Sequence, residues 1–364
     1  MALRPVKFLL DVHHIGRQQT GNETWARNVA RELSAPDISK DELAFAATAH
    51  GAAAVAAIVG RRPWVVSESS GRRLLVDLPR IIRREHPDAI LVHYTLPLSR
   101  CAAAVMVHDV AFLLPESRHW VSSRMRARLR VALTLAVRGR CVLLTPSDFS
   151  RTEILSRTNA DPDRVFVAPN AVDPELLNLF AARTRSRADD PIRVLTVGNV
   201  LPRKNLGVVA TAVSQLRREG MNIQLRVVGS VPRAGQPMAA EIRRLLVDHV
   251  EFSGYVDTAQ LAQEYLDADL LAFPSLYEGF GIPAIEAMAA GLPVIVSEST
   301  GQASVARGYA RAVDSRDPLQ WSRAIADVIR GDRPPAADLT AAALQFSWRS
   351  TAESTLHALE LAAS

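Results

Sequence analysis

Two glutamates separated by seven residues bracket a glycine-rich turn in Glu278-Gly-Phe-Gly-Ile-Pro-Ala-Ile-Glu286. The segment follows Leu270 to Phe273, an apolar run that reads as a buried strand. It enters a helix predicted over Pro283 to Ala290, with proline in its first turn and Gly291 as its stop. The first amides of a helix find no acceptor inside it, and the helix dipole adds partial positive charge there. This turn therefore aims the N–H groups of Gly281 and Ile282 at an anion, with phosphate the natural guest. Glu278 in the loop lies beside that anion, while Glu286, a turn further on, reaches another part of an extended ligand. Two such carboxylates can hold two sets of hydroxyls. The bland alternative is that each acid merely complements the helix N-terminus, worth ~0.3–1 kcal/mol at an exposed position.

A second cluster opens at Gly198. The loop Gly198-Asn-Val-Leu-Pro-Arg-Lys-Asn205 carries Arg203, a planar fork of donors, beside Lys204, a point charge. Hydrogen bonds to charged groups contribute roughly 1.5–3 kcal/mol each; the alternative is a solvated basic loop. In the first half, His108 ends an apolar strand and is followed by Asp109, a placement that suits the edge of an active site as well as a structural histidine. The loop Gly16-Arg-Gln-Gln-Thr-Gly21, with Asn22 next, precedes a helical pattern, so its glycine amides could approach a phosphate or an acceptor. His13 and His14 end the first strand without carboxylate or cysteine neighbours, and Asp267-Ala-Asp269 falls between a helix and a strand, which marks it as structural. No metal constellation results, so metal-independent chemistry without a cofactor is expected.

The elements that must position these residues are βα units. Beyond Ile192, short β-branched runs alternate with helical periods, the pattern of a parallel sheet. Strands are predicted at Ile192 to Val197, Ile223 to Val228, Leu270 to Phe273 and Pro293 to Val296. Helices are predicted from Asn205 to near Gly220 with Asn205 as cap, from Thr258 as cap, and from Asp317-Pro318. The first half alternates too, with strands at Val6 to Leu10, Ala89 to His93, Val105 to Val107 and Val142 to Thr145, although the Ala-rich run from Leu43 to Gly60 blurs the count. The polar stretch from Arg183 to Asp190 reads as a linker.

Composition bounds the function classes. With 364 residues, 48% hydrophobic and 22% charged, the chain is an ordinary globular protein long enough for two domains. A formal net charge of +5 suits nucleic acid, anionic lipid or a phosphorylated small molecule alike. Cys101 and Cys141 form neither a close pair nor a metal spacing, and a reducing cytoplasm fits them best. No signal peptide or membrane span is read. The segment from Ser122 to Arg138 places Met125, Leu129, Ala132, Leu133 and Ala136 at helical spacing, with arginines at 124, 126, 128 and 130. It reads as a surface helix on the domain core or as a contact with anionic lipid.

These motifs together resemble the retaining GT-B glycosyltransferases of family 4, whose hallmark is two glutamates separated by seven residues around a Gly-rich turn. The loop Gly198 to Asn205, the pair His108-Asp109, Pro146-Ser-Asp-Phe-Ser150 and Pro169-Asn-Ala-Val-Asp173 also match, in family order. The resemblance implies a GT-B fold, two Rossmann-like β/α/β domains facing across a cleft. An acceptor-binding domain would span 1–185 and a nucleotide-sugar-binding domain 186–345, with a C-terminal helix over 346–364 packing back toward the first. Glu286 would hold the nucleoside ribose, Glu278 hydroxyls of the transferred sugar, and Arg203 with Lys204 the diphosphate; His108 would lie near sugar and phosphate. Two departures stand out: Asn199 replaces an arginine common after the loop glycine, and Ala171 replaces a glycine.

The implied activity moves a hexose from a nucleoside-diphosphate sugar to a glycan, lipid-linked or small-molecule acceptor, with bacterial surface polysaccharide synthesis the favoured setting. Nucleic acid is not an expected partner; peripheral contact with an anionic membrane is a candidate one. An epimerase or phosphorylase of the same fold, or a silent sugar-nucleotide scaffold, are the alternatives. A nicotinamide dehydrogenase would need a Gly-x-Gly-x-x-Gly turn after the first strand, which is missing.

Overall fold

The computed structural model describes residues 6–17, 20–38, 41–182 and 191–364; the expected linker, 183–190, lies outside them. In the first half, seven strands pair in parallel: β1 (Lys7–Asp11), β2 (Glu42–Thr48), β3 (Trp64–Val66), β4 (Ala89–His93), β5 (Ala102–Met106), β6 (Val142–Thr145) and β7 (Val165–Val167), in the order β3-β2-β1-β4-β5-β6-β7. A parallel strand covered on both faces is apolar throughout rather than alternating, and β4 is buried at every position. The second half repeats the plan with β8 (Ile192–Val197), β9 (Ile223–Val228), β10 (Val250–Gly254), β11 (Leu270–Phe273), β12 (Val294–Ser297) and β13 (Arg311–Val313), in the order β10-β9-β8-β11-β12-β13. Both are doubly wound, Rossmann-like sheets. Strand order reverses between β1 and β4 and again between β8 and β11, and the loops leaving the C-terminal ends at such a reversal frame a ligand crevice.

The chain divides into two compact units, one ending at Asn170 and reclaiming Ser347–Ser364, the other Ala171–Phe346. The division falls earlier than the 185/186 boundary read from sequence because helix Pro174–Ala182 buries Leu176 and Phe180 in the second unit's core, Phe180 packing edge-on to Tyr265. The C-terminal helix Trp348–Ala363, capped by Ser347, buries Trp348, Ala352, Ala358 and Leu359 in the first unit, and its Thr351 hydroxyl donates to the carbonyl of Pro169.

Most predicted strands stand where expected. β5 starts earlier than read because pairing with β4 draws in Ala102, Ala103 and Ala104, which carry no strand signal of their own, and the Ala-rich run resolves into β2 and a helix over Ala52–Val59. Gly51 marks the break between them: a Cβ there would sit 2.0 Å from the carbonyl oxygen of Ile15. Two expected caps are corrected. Asn205 does not cap its helix with its side chain; its backbone is left-handed (φ 52°) and its amide donates to the carbonyl of Ser315 at 2.6 Å. The helix at Thr258 is capped by Asp257, which accepts from Gln260 N while the Gln260 side chain returns the bond. Asp317 caps its helix as read, accepting from Leu319 and Gln320.

Candidate active site

In the second unit the two loops at the strand-order reversal are tied together. After β8 the chain turns at Gly198 (φ 129°), where a Cβ would lie 3.3 Å from Cε and Nζ of Lys204; glycine lets that side chain lie over the backbone. A short 3₁₀ turn, Pro202–Lys204, then points both cations at the loop after β11. Arg203 accepts from Leu276 N through its carbonyl at 2.9 Å, and its guanidinium donates to the carbonyl of Tyr277. The Glu278 carboxylate receives both cations on one oxygen, Oε1, at 3.0 Å from Arg203 and 2.8 Å from Lys204. Lys204 Nζ also lies 4.8 Å from the centre of the Phe273 ring. Burial alone would raise the Glu278 pKa. The charges of Arg203 and Lys204, with the hydrogen bond from Lys204, overcome it and hold the carboxyl at about 2.

The glycine turn delivers the second carboxylate. Gly281 is left-handed (φ 98°), and a Cβ on it would lie 2.6 Å from Cβ of Gln302. Gln302 is buried and donates to the carbonyl of Phe273 at 2.8 Å, while Gly301 N donates to the carbonyl of Glu278 at 2.9 Å. So braced, the helix runs Ile282–Ala289, and its first amides, Ile282 among them, have no acceptor within it. Glu286 lies inside this helix, buried, with Oε2 accepting from the Tyr265 hydroxyl at 2.7 Å. Burial pushes its pKa up; the Tyr265 hydrogen bond opposes that and the Asp173 charge adds to it, leaving it at about 7. The two glutamates are thus driven in opposite directions, one pinned ionised and one poised between forms.

The first unit gathers aromatic and imidazole rings where β1, β4 and β5 end. His108 Nε2 meets His93 Nδ1 at 3.1 Å, and both rings lie against Trp25. His13, after β1, is held between Arg73 (Nη2 to Nε2, 3.1 Å) and Asp11 (Oδ1 to Nδ1, 3.1 Å). Gly16 is left-handed (φ 86°), and its amide donates to Glu23 at 2.8 Å. The expected loop to Gly21 is shorter than read: Gly21 and Asn22 lie in the first turn of helix Thr20–Leu33, and Gln18 and Gln19 are outside the described residues.

The structure therefore brings Gly198, Arg203, Lys204 and Glu278 together, with Gly281 and Ile282 in the turn that follows and Glu286 inside the helix it opens. It places His108 and Gly16 on the corresponding edge of the first sheet. Asn199 accepts a hydrogen bond from Ser230 at 2.7 Å, and Ala171 is not among the left-handed residues, so neither departure distorts its loop. Asp269 accepts from Arg193 N at 2.8 Å and Asp267 lies 3.6 Å from the Arg193 guanidinium, the structural role expected of both. Among the described residues no group of three or more His, Cys, Asp or Glu side chains is arranged to hold a metal ion. Sequence reasoning missed Tyr265, Arg73 and His93. Nothing local marks Tyr265 or Arg73, but His93 carries the signal that singled out His108, a histidine closing an apolar strand.

Comparison with known proteins agrees with this architecture. Residues 20–176 match the family described as Glycosyltransferase Family 4, and residues 181–346 match Glycosyl transferases group 1. The chain is a two-domain protein of the GT-B glycosyltransferase class. It belongs to glycosyltransferase family 4. A D-inositol 3-phosphate glycosyltransferase of Stackebrandtia nassauensis is 31% identical over 237 residues, 59% of this chain and 53% of that protein. The chain thus spans about half the length of that relative. The O-antigen chain mannosyltransferase B of Escherichia coli is 27% identical over 295 residues, 76% of each chain. Anabaena HepE, solved in complex with UDP and glucose, shares the fold with a TM-score of 0.72 at 18% identity, covering 98% of this chain and 99% of that one.

The opposed carboxylates give opposite pH dependences of stability. Glu278, lowered from 4.5 to about 2, adds stability above pH 4.5 that is lost as pH falls toward 2. Glu286, raised from 4.5 to about 7, favours the fold below pH 4.5 and loses that contribution as pH rises through 7. In thermal melts between about pH 5 and 8, Glu286→Gln should gain on the wild type as pH rises, by on the order of 3 kcal/mol at most. Glu278→Gln should trail the wild type by a constant margin. A pH-independent gap for Glu286→Gln would refute the environment described for it.

Proposed function

We propose that the protein transfers a hexosyl group, mannose-like or glucose-like, from a nucleoside-diphosphate sugar to an acceptor hydroxyl with retention of configuration and without a metal. The observation that carries this reading is the meeting of Arg203, Lys204 and Glu278 in front of the glycine turn, with Glu286 buried behind it. In the reaction the anomeric C–O bond breaks with its electron pair passing to the diphosphate. The acceptor oxygen bonds to the same face of the anomeric carbon, and its proton goes to the departing phosphate oxygen. Arg203, Lys204 and the first amides of helix Ile282–Ala289 stabilise the growing phosphate charge, the task a metal performs elsewhere. Entry of the diphosphate takes both cations from Glu278, freeing that carboxylate for hydroxyls of the sugar. Glu286 accepts from the ribose, aligned by Tyr265. The UDP held by HepE, and the mannosyltransferase and inositol phosphate glycosyltransferase relatives, support a nucleotide-sugar donor and a glycan or small polyol acceptor.

The first unit takes the acceptor, and its helix Ser123–Arg138 is our candidate for contact with an anionic membrane. The helix buries Ala132, Leu133 and Ala136 and spends Arg130 on the carbonyls of Phe112 and Leu113, but exposes Arg124, Arg128, Val131, Leu135 and Arg138 along one stripe. Among the described residues no helix is long and apolar enough to cross a membrane. Replacing Arg124 and Arg128 by serine should weaken binding to phosphatidylserine-containing vesicles about 30-fold, at about 1 kcal/mol per basic residue, while diphosphate affinity stays constant. Equal sedimentation of variant and wild type would remove the membrane from the function.

A panel of sugar nucleotides, read first by thermal shift and then by transfer to water or acceptor, tests the activity. With the donor so found, Glu286→Gln should weaken the bare nucleoside diphosphate by about 10- to 100-fold, matching the loss of a charged hydrogen bond of roughly 1.5–3 kcal/mol, with a smaller change in kcat. Glu278→Gln should lower kcat at least tenfold, about 1.4 kcal/mol, yet bind the bare diphosphate no more weakly, since Arg203 and Lys204 lose a competitor. If both variants lose diphosphate affinity alike, the assignment of these residues is wrong. Turnover should survive EDTA; activity lost to chelation and restored by Mg²⁺ or Mn²⁺ would sink the metal-free mechanism.

A further inference from the structure

His93 and His108 stack with their centroids 5.3 Å apart and planes 16° apart, joined by the 3.1 Å contact from Nδ1 of His93 to Nε2 of His108. Burial holds the His108 pKa at about 3. It also holds His93 well below its ordinary value, helped by the nearby His14, His108, His13 and Arg73. Both rings are therefore neutral near pH 7. A neutral imidazole has one N–H and one lone pair, so the contact is a hydrogen bond in one of two directions. If His108 donated, the proton of His93 would have to sit on its Nε2, which is buried and has no partner among the described residues. If His93 donates from Nδ1, only a lone pair is left there. A buried orphan N–H is the rarer and costlier defect, and the nearby Arg73 cation favours a lone pair over a donor on His93.

We propose that His93 is a positioning residue that fixes His108 as the Nδ1–H tautomer, so that His108 offers substrate a hydrogen-bond donor and cannot act as a base. His93 occupies Nε2 of His108, and His108 is half-buried, so Nδ1 is the nitrogen left to meet a ligand. Its partner is an oxygen, a sugar hydroxyl or a phosphoryl oxygen. Two further features hold the pair in this state. Trp25, 1% exposed, packs at right angles on both rings, at 5.2 Å from His93 and 5.7 Å from His108, and keeps the stack dry. Its neighbour His13 is itself locked: a guanidinium can only donate, so the Arg73 contact makes Nε2 of His13 an acceptor and leaves its proton on Nδ1, facing Asp11. The expected effect on turnover rests on the glycosyl-transfer reading; the tautomer does not.

The test is made on the full chain labelled with ¹⁵N in its imidazoles. Long-range ¹H–¹⁵N spectra near neutral pH should show His108 with Nδ1 protonated and Nε2 bare; the reverse pattern overturns the proposal. His93→Phe keeps a ring but removes the donor, and should move the His108 proton to Nε2. It should also lower kcat about 100-fold while leaving nucleoside-diphosphate affinity unchanged. His93→Asn, whose side-chain amide stands in for Nδ1–H, should restore the wild-type tautomer and part of the turnover. A His93→Phe protein that retains the wild-type tautomer refutes the positioning role whatever its activity, and if that variant does not fold, the wild-type spectrum alone decides. The predicted tautomers in a protein that transfers no sugar would instead count against the reading of function.

Discussion

Two cations sharing one carboxylate oxygen are the point on which the second unit's candidate site depends. Removing Arg203, Lys204 and Glu278 from water is costly, and it is tolerated because the three meet at hydrogen-bonding distance and the backbone of each loop is tied to the other. The bonds from Leu276 N to the Arg203 carbonyl and from Arg203 to the Tyr277 carbonyl make the loops after β8 and β11 a single body. Those strands are neighbours only because the sheet reverses its order between them. The site is thus a consequence of topology first, with residue chemistry filling a position that the winding of the sheet creates.

The glycines of this region follow from the same constraint. Gly198 leaves room for the Lys204 side chain, Gly281 turns the chain within reach of Gln302, and Gly301 passes so close to the Glu278–Gly279 backbone that a Cβ would meet it at 2.5 Å. The loop carrying Glu278 is gripped from two sides by backbone that tolerates no side chain. A carboxylate must be held this firmly beside its two cations if its pKa is to stay at about 2.

This much was legible where chemistry and periodicity coincide locally: the buried strands of the second half, the stop at Gly291, the Asp317 cap, and the grouping of Arg203, Lys204, Glu278 and Glu286. What escaped notice is set by contacts distant in sequence. Asn205 has the chemistry of a cap but is drawn to the Ser315 carbonyl, far along the chain. Tyr265 reads as one more core aromatic until it is seen donating to Glu286. The alanines from Leu43 to Gly60 suit strand and helix equally, so only the pairing of β2 with β1 and β3 decides between them.

The two units place charge near the reversals of their sheets in different ways. The second concentrates full charges and brings two cations onto one carboxylate oxygen. The first keeps His93 and His108 uncharged: burial drives the pKa of His108 to about 3 and holds His93 well below its ordinary value, and the nearby pair of Asp11 with Arg73 is closed on itself at 3.3 Å. A protonated histidine there would attract any anion through a full charge, as Arg203 and Lys204 attract Glu278. A neutral ring limited to one N–H can orient an oxygen without adding that attraction. Burial of His93 and His108 beside Trp25 is thus a way to obtain direction without charge, and the buried stack is what such a donor requires.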